Sequence, residues 1–384
     1  MSVRCNQMLW RTNLAVWRAW RSWKLNMHYS TVGASSGPLD RPDEEGSVST
    51  EKPPHTPVML KEVLHFLDIK PGQVVLDMTF GGGGHTKAIL NMVPEATILA
   101  LDRDPTAISL ARQLAKEHPN RVKPLLGRFS ELEVLLSDMN IKPSSIDAVL
   151  LDAGCSSMQM DQAERGFSLS KDGPLDMRMD GERYPDMPCA ADVVNTLDQQ
   201  ALASILTAYG EERHARKIAS AIVDTRRVNP ITRTQQLASI VAGSFPAAVV
   251  YSRRDRLHRR AHVATKTFQA LRIFVNDELK ELHAGLCAAQ AVLRSGGRLC
   301  VITFHSLEDR LVKHFLQGKD LSNLDQYHFS PRKQGTRKEK LAGEKNDGSV
   351  YWLPLQRKVV TPETDDVKEN PRGRSAKLRA VVRQ

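Results

Sequence analysis

Apolar positions along this chain follow two rhythms: short unbroken runs, and longer stretches with helical spacing. The runs at 74–77, 97–102, 122–126 and 146–152 are rich in Val, Ile and Leu and are bounded by turn residues. Runs of this length predict strands buried on both faces. Between them apolar residues recur every three or four positions, as over 105–115 behind Asp104-Pro105, which predicts helices. Strand and helix in alternation predict an α/β fold with a parallel, doubly wound sheet. Its ligands should lie beyond the strands' carboxyl ends.

The rhythm changes at about residue 161. Helical spacing takes over at 199–209, 212–225 and 234–242, where Ile205, Leu206 and Tyr209 read as core positions. Residues 268–292 predict one long amphipathic helix, Gly296-Gly297 a turn, and 298–304 a returning strand. Ser306-x-x-Asp309 has the form of a capping box for the next helix. The chain therefore divides into 1–39, a leader; 40–57, a charged, Pro-containing linker; 58–160, the first part of the sheet domain; 161–262, an inserted helical domain; and 263–384, the rest of the sheet domain with a basic C-terminal tail.

At 384 residues the chain exceeds the usual single-domain size, which agrees with two structural units. No apolar run is long enough to span a membrane. Cys5, Cys155, Cys189, Cys287 and Cys300 show no C-x-x-C spacing. That argues against a disulfide framework and a zinc module and fits a reducing compartment. Lys and Arg exceed Asp and Glu by 54 to 44. Half of that excess lies in residues 1–39, where Arg4, Arg11, Arg18, Arg21 and Lys24 face no acid. On a helical wheel the arginines oppose Leu9, Val16, Trp17, Trp20 and Trp23. An Arg-rich, acid-free amphipathic leader predicts an organellar import presequence, and a membrane-surface or RNA-binding arm is the alternative. The body is mildly basic, which is compatible with nucleic acid.

Candidate chemistry concentrates at the ends of the predicted strands. The first run ends Asp77-Met-Thr-Phe80 and continues into four glycines, 81–84, then His85. Glycines permit unusual dihedrals and close backbone approach to a ligand. The loop lacks the Gly-Lys-Ser/Thr of a Walker motif and the third glycine of a dinucleotide fingerprint, so it suits a cofactor without a pyrophosphate. Asp102 ends the second run, where a carboxylate can hold ribose hydroxyls or stand as an exposed strand-end charge; Asp104 reads as a helix cap. Phe129 follows the third run, and Asp152 ends the fourth.

From Asp152 onward the motifs are long: Asp152-Ala-Gly-Cys-Ser-Ser-Met-Gln159-Met-Asp161, Glu164-Arg-Gly-Phe-Ser168, Gly173-Pro-Leu-Asp-Met-Arg-Met-Asp180, Tyr209-Gly-Glu-Glu-Arg213, Thr267-Phe-Gln-Ala-Leu-Arg-Ile273 with Val275-Asn-Asp-Glu-Leu279, Phe304-His-Ser-Leu-Glu-Asp-Arg310 and Asn370-Pro-Arg-Gly-Arg-Ser375. This set resembles the S-adenosylmethionine-dependent methyltransferases that modify the exocyclic N4 of a cytidine in small-subunit ribosomal RNA, the bacterial RsmH or MraW family. With its leader, the chain is similar to the family's mitochondrial branch. The resemblance runs from His55 to the C-terminus and is weakest at 318–358.

The resemblance implies a Rossmann-like class I methyltransferase sheet with an all-helical substrate domain inserted after the fourth strand. It implies S-adenosylmethionine held by Gly83, Gly84, His85, Asp102, Phe129, Asp152 and Gln159, with no metal and no assigned catalytic residue. It also implies small-subunit rRNA or a pre-ribosomal small subunit as partner, together with assembly factors, in the mitochondrial matrix. The product would support mitoribosome assembly and translation. Three departures cluster beside Asp152 and Gln159: Ala153, Cys155 and Met158 stand where the family usually has Leu, Val and Pro. Loss of that proline is expected to loosen the loop carrying Gln159. Lys266 replaces a common Arg, keeping charge without the bidentate fork.

Other features stay open at this level. The basic stretch 251–260, the basic stretch 332–340 and the tail from Asn370 are each either phosphate contacts or solvated charge. His258 and His262 are four apart with no third ligand, so no metal is read there. His305 is either a structural or a functional histidine. A nicotinamide oxidoreductase would need the missing fingerprint, and a small-molecule methyltransferase would leave the basic tail unexplained. A non-catalytic assembly factor would have no use for the glycine loop and Asp102.

Overall fold

The computed structural model describes residues 57–250, 262–319, 321 and 351–384. The leader, most of the linker and the basic stretches at 251–260 and 332–340 lie outside the described residues. Seven strands form one sheet in the order β3-β2-β1-β4-β5-β7-β6. They are β1 (Val74–Asp77), β2 (Thr97–Asp102), β3 (Val122–Leu126), β4 (Ile146–Asp152), β5 (Leu293–Thr303), β6 (Trp352–Pro354) and β7 (Lys377–Arg383). β1 to β5 are parallel, with Leu76 beside Leu99 on one side and Val149 on the other. Because both faces are covered, each strand alternates between two cores. Leu76, Leu99, Val149 and Val301 face one, and Val75, Ile98, Ala148 and Ile302 face the other. That explains why the sequence reads as unbroken apolar runs.

The helices α1 (Leu60–Leu67), α2 (Gly84–Met92), α3 (Pro105–Glu117), α4 (Leu132–Asp138) and α5 (Ser157–Asp161) belong to the first half. Between β4 and β5, all regular elements among the described residues are helical: α6 (Ala190–Thr196), α7 (Gln199–Gly210), α8 (Ala215–Arg226), α9 (Thr234–Gly243), α10 (Ala247–Val250), α11 (Thr265–Asn276) and α12 (Glu278–Val292). No helix among them is long and apolar enough to cross a membrane. The single helix expected over 268–292 is two. Asp277 adopts a left-handed conformation at φ 49°, where a short polar side chain is tolerated, and it separates α11 from α12. The apolar spacing continues across the break, so periodicity alone did not register it. Neighbouring Asn276 is buried and spans the gap: its amide donates to Met177 O and accepts from Met179 N, each at 2.7 Å.

The C-terminal stretch read as a basic tail is largely sheet. β7 pairs antiparallel with β5, and its charges have partners: Lys377 and Arg379 both bind Asp309, and Arg372 just upstream holds Asp161 at 2.7 Å. Asp309 belongs to α13 (Ser306–Leu316), which the capping box expected at Ser306/Asp309 does not start. The cap is His305, and Glu308 closes the box, because the chain stays extended through His305 (φ −136°).

One buried carboxylate ties the 162–189 connection to the sheet. Asp180, with no exposed surface, accepts from Arg103 at 2.5 Å, from both Nε and Nη2 of Arg128 at 3.2 and 2.9 Å, and lies 3.5 Å from Arg183. Arg103 follows β2 and Arg128 follows β3. Burial works against the charge, yet Arg103 and Arg128 outweigh it and hold the Asp180 pKa below the ordinary value. Asp180→Asn is expected to cost about 3 kcal/mol, the lower end for breaking a buried pair, since both arginines keep some water contact. With a lowered folded pKa, this contribution is present above about pH 4 and is lost as pH falls through the folded value. Denaturant unfolding at neutral pH, with the variant as stable as wild type, would contradict it.

Candidate active site

Parallel pairing brings the carboxyl ends of β1, β2 and β4 to one rim, and the sequence places an aspartate at each. Asp77 is 1% exposed. Its carboxylate accepts from the Thr86 hydroxyl at 2.7 Å and from Thr79 N at 3.1 Å. The Thr79 hydroxyl in turn accepts from Asp152 N at 2.7 Å, which stitches β1 to β4. Asp102 is not an idle strand-end charge: its two oxygens accept from Gly81 N at 2.7 Å and Asp104 N at 2.9 Å. The β2 aspartate thus fixes the start of the glycine loop. Within that loop Gly83 sits at φ 76°, and a Cβ there would fall 2.6 Å from the Phe80 ring, so no other residue fits.

His85 opens α2 and is buried. Its Nε2 donates to Val58 O at 3.1 Å, since a carbonyl can only accept. Burial pushes its pKa down to about 4 against the pull of that bond, so the ring is neutral at physiological pH. The segment before α1 therefore lies against the glycine loop, with Pro57 close to Gly84.

Asp104 does cap α3, accepting from Thr106 N at 2.9 Å, and its other oxygen gathers two further groups. Gln159 Nε2 donates to it at 2.9 Å and Arg165 Nη1 at 2.6 Å. Gln159 also closes a capping box with Ser156 at the start of α5, its Oε1 accepting from Ser156 N at 3.0 Å. The loosening expected from the missing proline does not occur, because the capping box and Asp104 hold Gln159 from both ends of its amide, and Met158 packs against the core. Phe129 packs on α12, where a Cβ on Gly285 would come within 3.0–3.1 Å of its ring.

Asp152 is the odd member of the rim. Its Oδ1 is buried without a hydrogen-bond partner. Burial first, then the nearby carboxylates of Asp77 and Glu308, push its pKa up to about 8. Burial likewise lifts Asp77 and Asp102 to about 6. Glu308 is buried but well supplied: its Oε2 accepts from Phe304 N at 2.7 Å and His305 N at 3.2 Å. Its Oε1 lies 2.8 Å from His305 Nε2 and 4.0 Å from Arg272. Arg272 grips Glu278 through Nε at 2.7 Å and Nη2 at 2.9 Å, and its Nη1 meets Cys155 Sγ at 3.2 Å. Glu278, His305 and Glu308 bring donor atoms within 4.8 Å of one another, but Arg272 already supplies the positive charge there and a cation would be repelled by it.

Of the seven residues expected at the site, Gly83, Gly84, Asp102 and Asp152 lie along this rim, while His85 is turned onto Val58 O, Phe129 follows β3 and packs on α12, and Gln159 is turned onto Asp104. Sequence reasoning passed over Thr79, Arg165, Arg272, Glu308 and Gly285. Arg165, Arg272 and Glu308 stand inside the long motifs, which was the available signal. Overall the rim is a row of desolvated carboxyls short of positive charge, which suits a ligand that brings a cation.

A sequence model of the MraW methylase family matches residues 52–384. The chain is 56% identical over 349 residues to the Bos taurus protein named 12S rRNA N(4)-cytidine methyltransferase METTL15, covering 89% of this chain and 85% of that one. It is 57% identical over 337 residues to the Homo sapiens protein of the same name, covering 86% and 82%. It is 45% identical over 331 residues to ribosomal RNA small subunit methyltransferase H of Parvibaculum lavamentivorans, covering 86% and 89%.

The raised carboxyls set a pH dependence. A carboxyl whose folded pKa lies above its unfolded value of 3.8 loses its stabilising contribution as pH rises through the folded pKa. For Asp77 and Asp102 that is near 6, and for Asp152 near 8. Through these groups the melting temperature of the ligand-free protein should fall between about pH 4 and 8, most steeply between 4 and 6, with Asp152→Asn flattening the part above 6. A wild-type melting temperature that rises across the window would contradict these assignments.

Proposed function

Because this chain belongs to the MraW methylase family, we propose that it methylates the exocyclic N4 of a cytidine in mitochondrial small-subunit ribosomal RNA, using S-adenosylmethionine. The observation that supports the reading most directly is the unpartnered carboxylate of Asp152 at the end of β4, beside the glycine loop. S-adenosylmethionine carries a sulfonium and an ammonium, the charge this rim lacks. Gly83 and Gly84 let the cofactor approach the backbone, and the remaining lone pairs of Asp102 take the ribose hydroxyls. Phe129 and Asp152 would contact the bound cofactor, Asp152 supplying a carboxylate for its positive charge, and His85 and Gln159 would hold the loop and the Asp104 corner.

When bound, the cofactor supplies a methyl group made electrophilic by its sulfonium. The cytidine amine is a weak nucleophile because its lone pair is delocalised into the ring. Alignment can contribute roughly 7–11 kcal/mol, against about 10² to 10⁴ in rate from a general base. The stitched strand ends serve the first purpose. A paired base must be unstacked to reach the rim, a task suited to the helical segment between β4 and β5. The leader directs the protein to the mitochondrial matrix, where rRNA or a pre-ribosomal small subunit with its assembly factors is the partner and the methyl mark supports mitoribosome assembly and translation.

Nucleoside mass spectrometry of mitochondrial small-subunit rRNA, with and without the protein, tests the reading. Loss of an N4-methylated cytidine in its absence is expected, and an unchanged nucleoside profile would refute it. Asp102→Ala should weaken S-adenosylmethionine binding by roughly 1.5–3 kcal/mol, the worth of hydrogen bonds to a charged group, by removing the ribose acceptor and releasing Gly81 N. Calorimetry on a folded variant with unchanged affinity would remove Asp102 from the ribose site.

A further inference from the structure

We infer that Asp152 binds the cationic cofactor by giving up a proton, so that this chain separates S-adenosylmethionine from S-adenosylhomocysteine, whose sulfur is uncharged, through the ionisation of one carboxyl. The inference rests on the reading of the rim as the S-adenosylmethionine site. Its basis is the difference between Asp152 and every charged group around it. From β1, Asp77 faces it with both oxygens engaged by Thr86 and Thr79. From the start of α13, Glu308 faces it with Phe304 N, His305 and Arg272 in attendance. From α11, Arg272 is turned away onto Glu278 of α12 and onto Cys155. Of these carboxylates only Asp152 has a buried oxygen with no hydrogen-bond partner, and it lies between two that repel its charge.

The consequence has a defined direction. With its pKa pushed up to about 8 by burial, Asp77 and Glu308, Asp152 is mostly protonated at neutral pH in the free protein. A sulfonium placed at the rim provides the missing countercharge and favours the ionised form. Below about pH 8 the cofactor must displace the proton, so its affinity weakens by about tenfold for each unit that pH falls, until the bound-state pKa is reached. Through this group, S-adenosylhomocysteine shows no such dependence, and its relative affinity improves as pH falls. Asp77 and Asp102 titrate near 6, below the window in which Asp152 acts.

The test is calorimetric binding of each ligand to the full chain between about pH 6.5 and 8.5, in two buffers of different ionisation heat, so that protons released are counted. S-adenosylmethionine is expected to release close to one proton more than S-adenosylhomocysteine at pH 7. Asp152→Asn should abolish the difference in protons released between the two ligands; both carry the same ammonium group, so its contribution cancels from that difference. Equal proton release for the two ligands in wild type overturns the inference without any variant. A difference that persists in a folded Asp152→Asn protein overturns it as well. If neither ligand binds, the cofactor reading itself fails; if S-adenosylmethionine binds and methylates with no proton difference, only this inference falls.

Discussion

Parallel strands end on the same edge of a sheet, and in this protein three adjacent ones end in aspartate. Placing Asp77, Asp102 and Asp152 along one rim puts like charges side by side in a partly desolvated environment, which is costly unless each is answered. The protein answers two of them with its own groups. Asp77 takes a hydroxyl and an amide, and Asp102 takes two amides, so both carboxylates become braces that hold the glycine loop. Asp152 is left without an answer, and that imbalance gives the rim its appetite for a cation.

The surrounding arginines show that the imbalance is local. Arg103 and Arg128 serve Asp180, Arg165 serves Asp104, and Arg272 serves Glu278. Each pair lies within reach of the rim but directs its charge to a carboxylate that positions an element: the 162–189 connection, α3, or the α11–α12 junction. Even Arg272, which touches the β4–α5 loop at Cys155, is occupied by Glu278. Positive charge is abundant here and is used as framework.

The departures from the family pattern fit that framework. Cys155, in place of the usual Val, rests against the Arg272 guanidinium, and burial raises its thiol pKa in spite of that neighbour. Met158, in place of Pro, packs into the core while Ser156 and Gln159 cap their own helix. Lys266 donates to Glu211 O at 2.8 Å, a contact that an ammonium makes as well as a guanidinium.

By itself the sequence determined the five parallel strands, the α/β class and the rim residues, but not the antiparallel strands β6 and β7. Those signals are local: an apolar run, a glycine cluster and a terminal aspartate are legible within about ten residues. Family motifs then carried the reading to cofactor and substrate. Only the tertiary structure decided what the polar groups do. The partner of Gln159 lies 55 positions away at Asp104, the partners of Asp309 lie 68 and 70 positions away on β7, and the Arg103–Asn276 bond spans 173. The break at Asp277 is likewise accompanied by contacts across the fold, from Asn276 to Met177 and Met179, and not by spacing along it. Whether a carboxylate ends as a brace, an ion pair or an unpaired charge depends on which groups folding brings within 3 Å, and nothing in the local sequence encodes that distance.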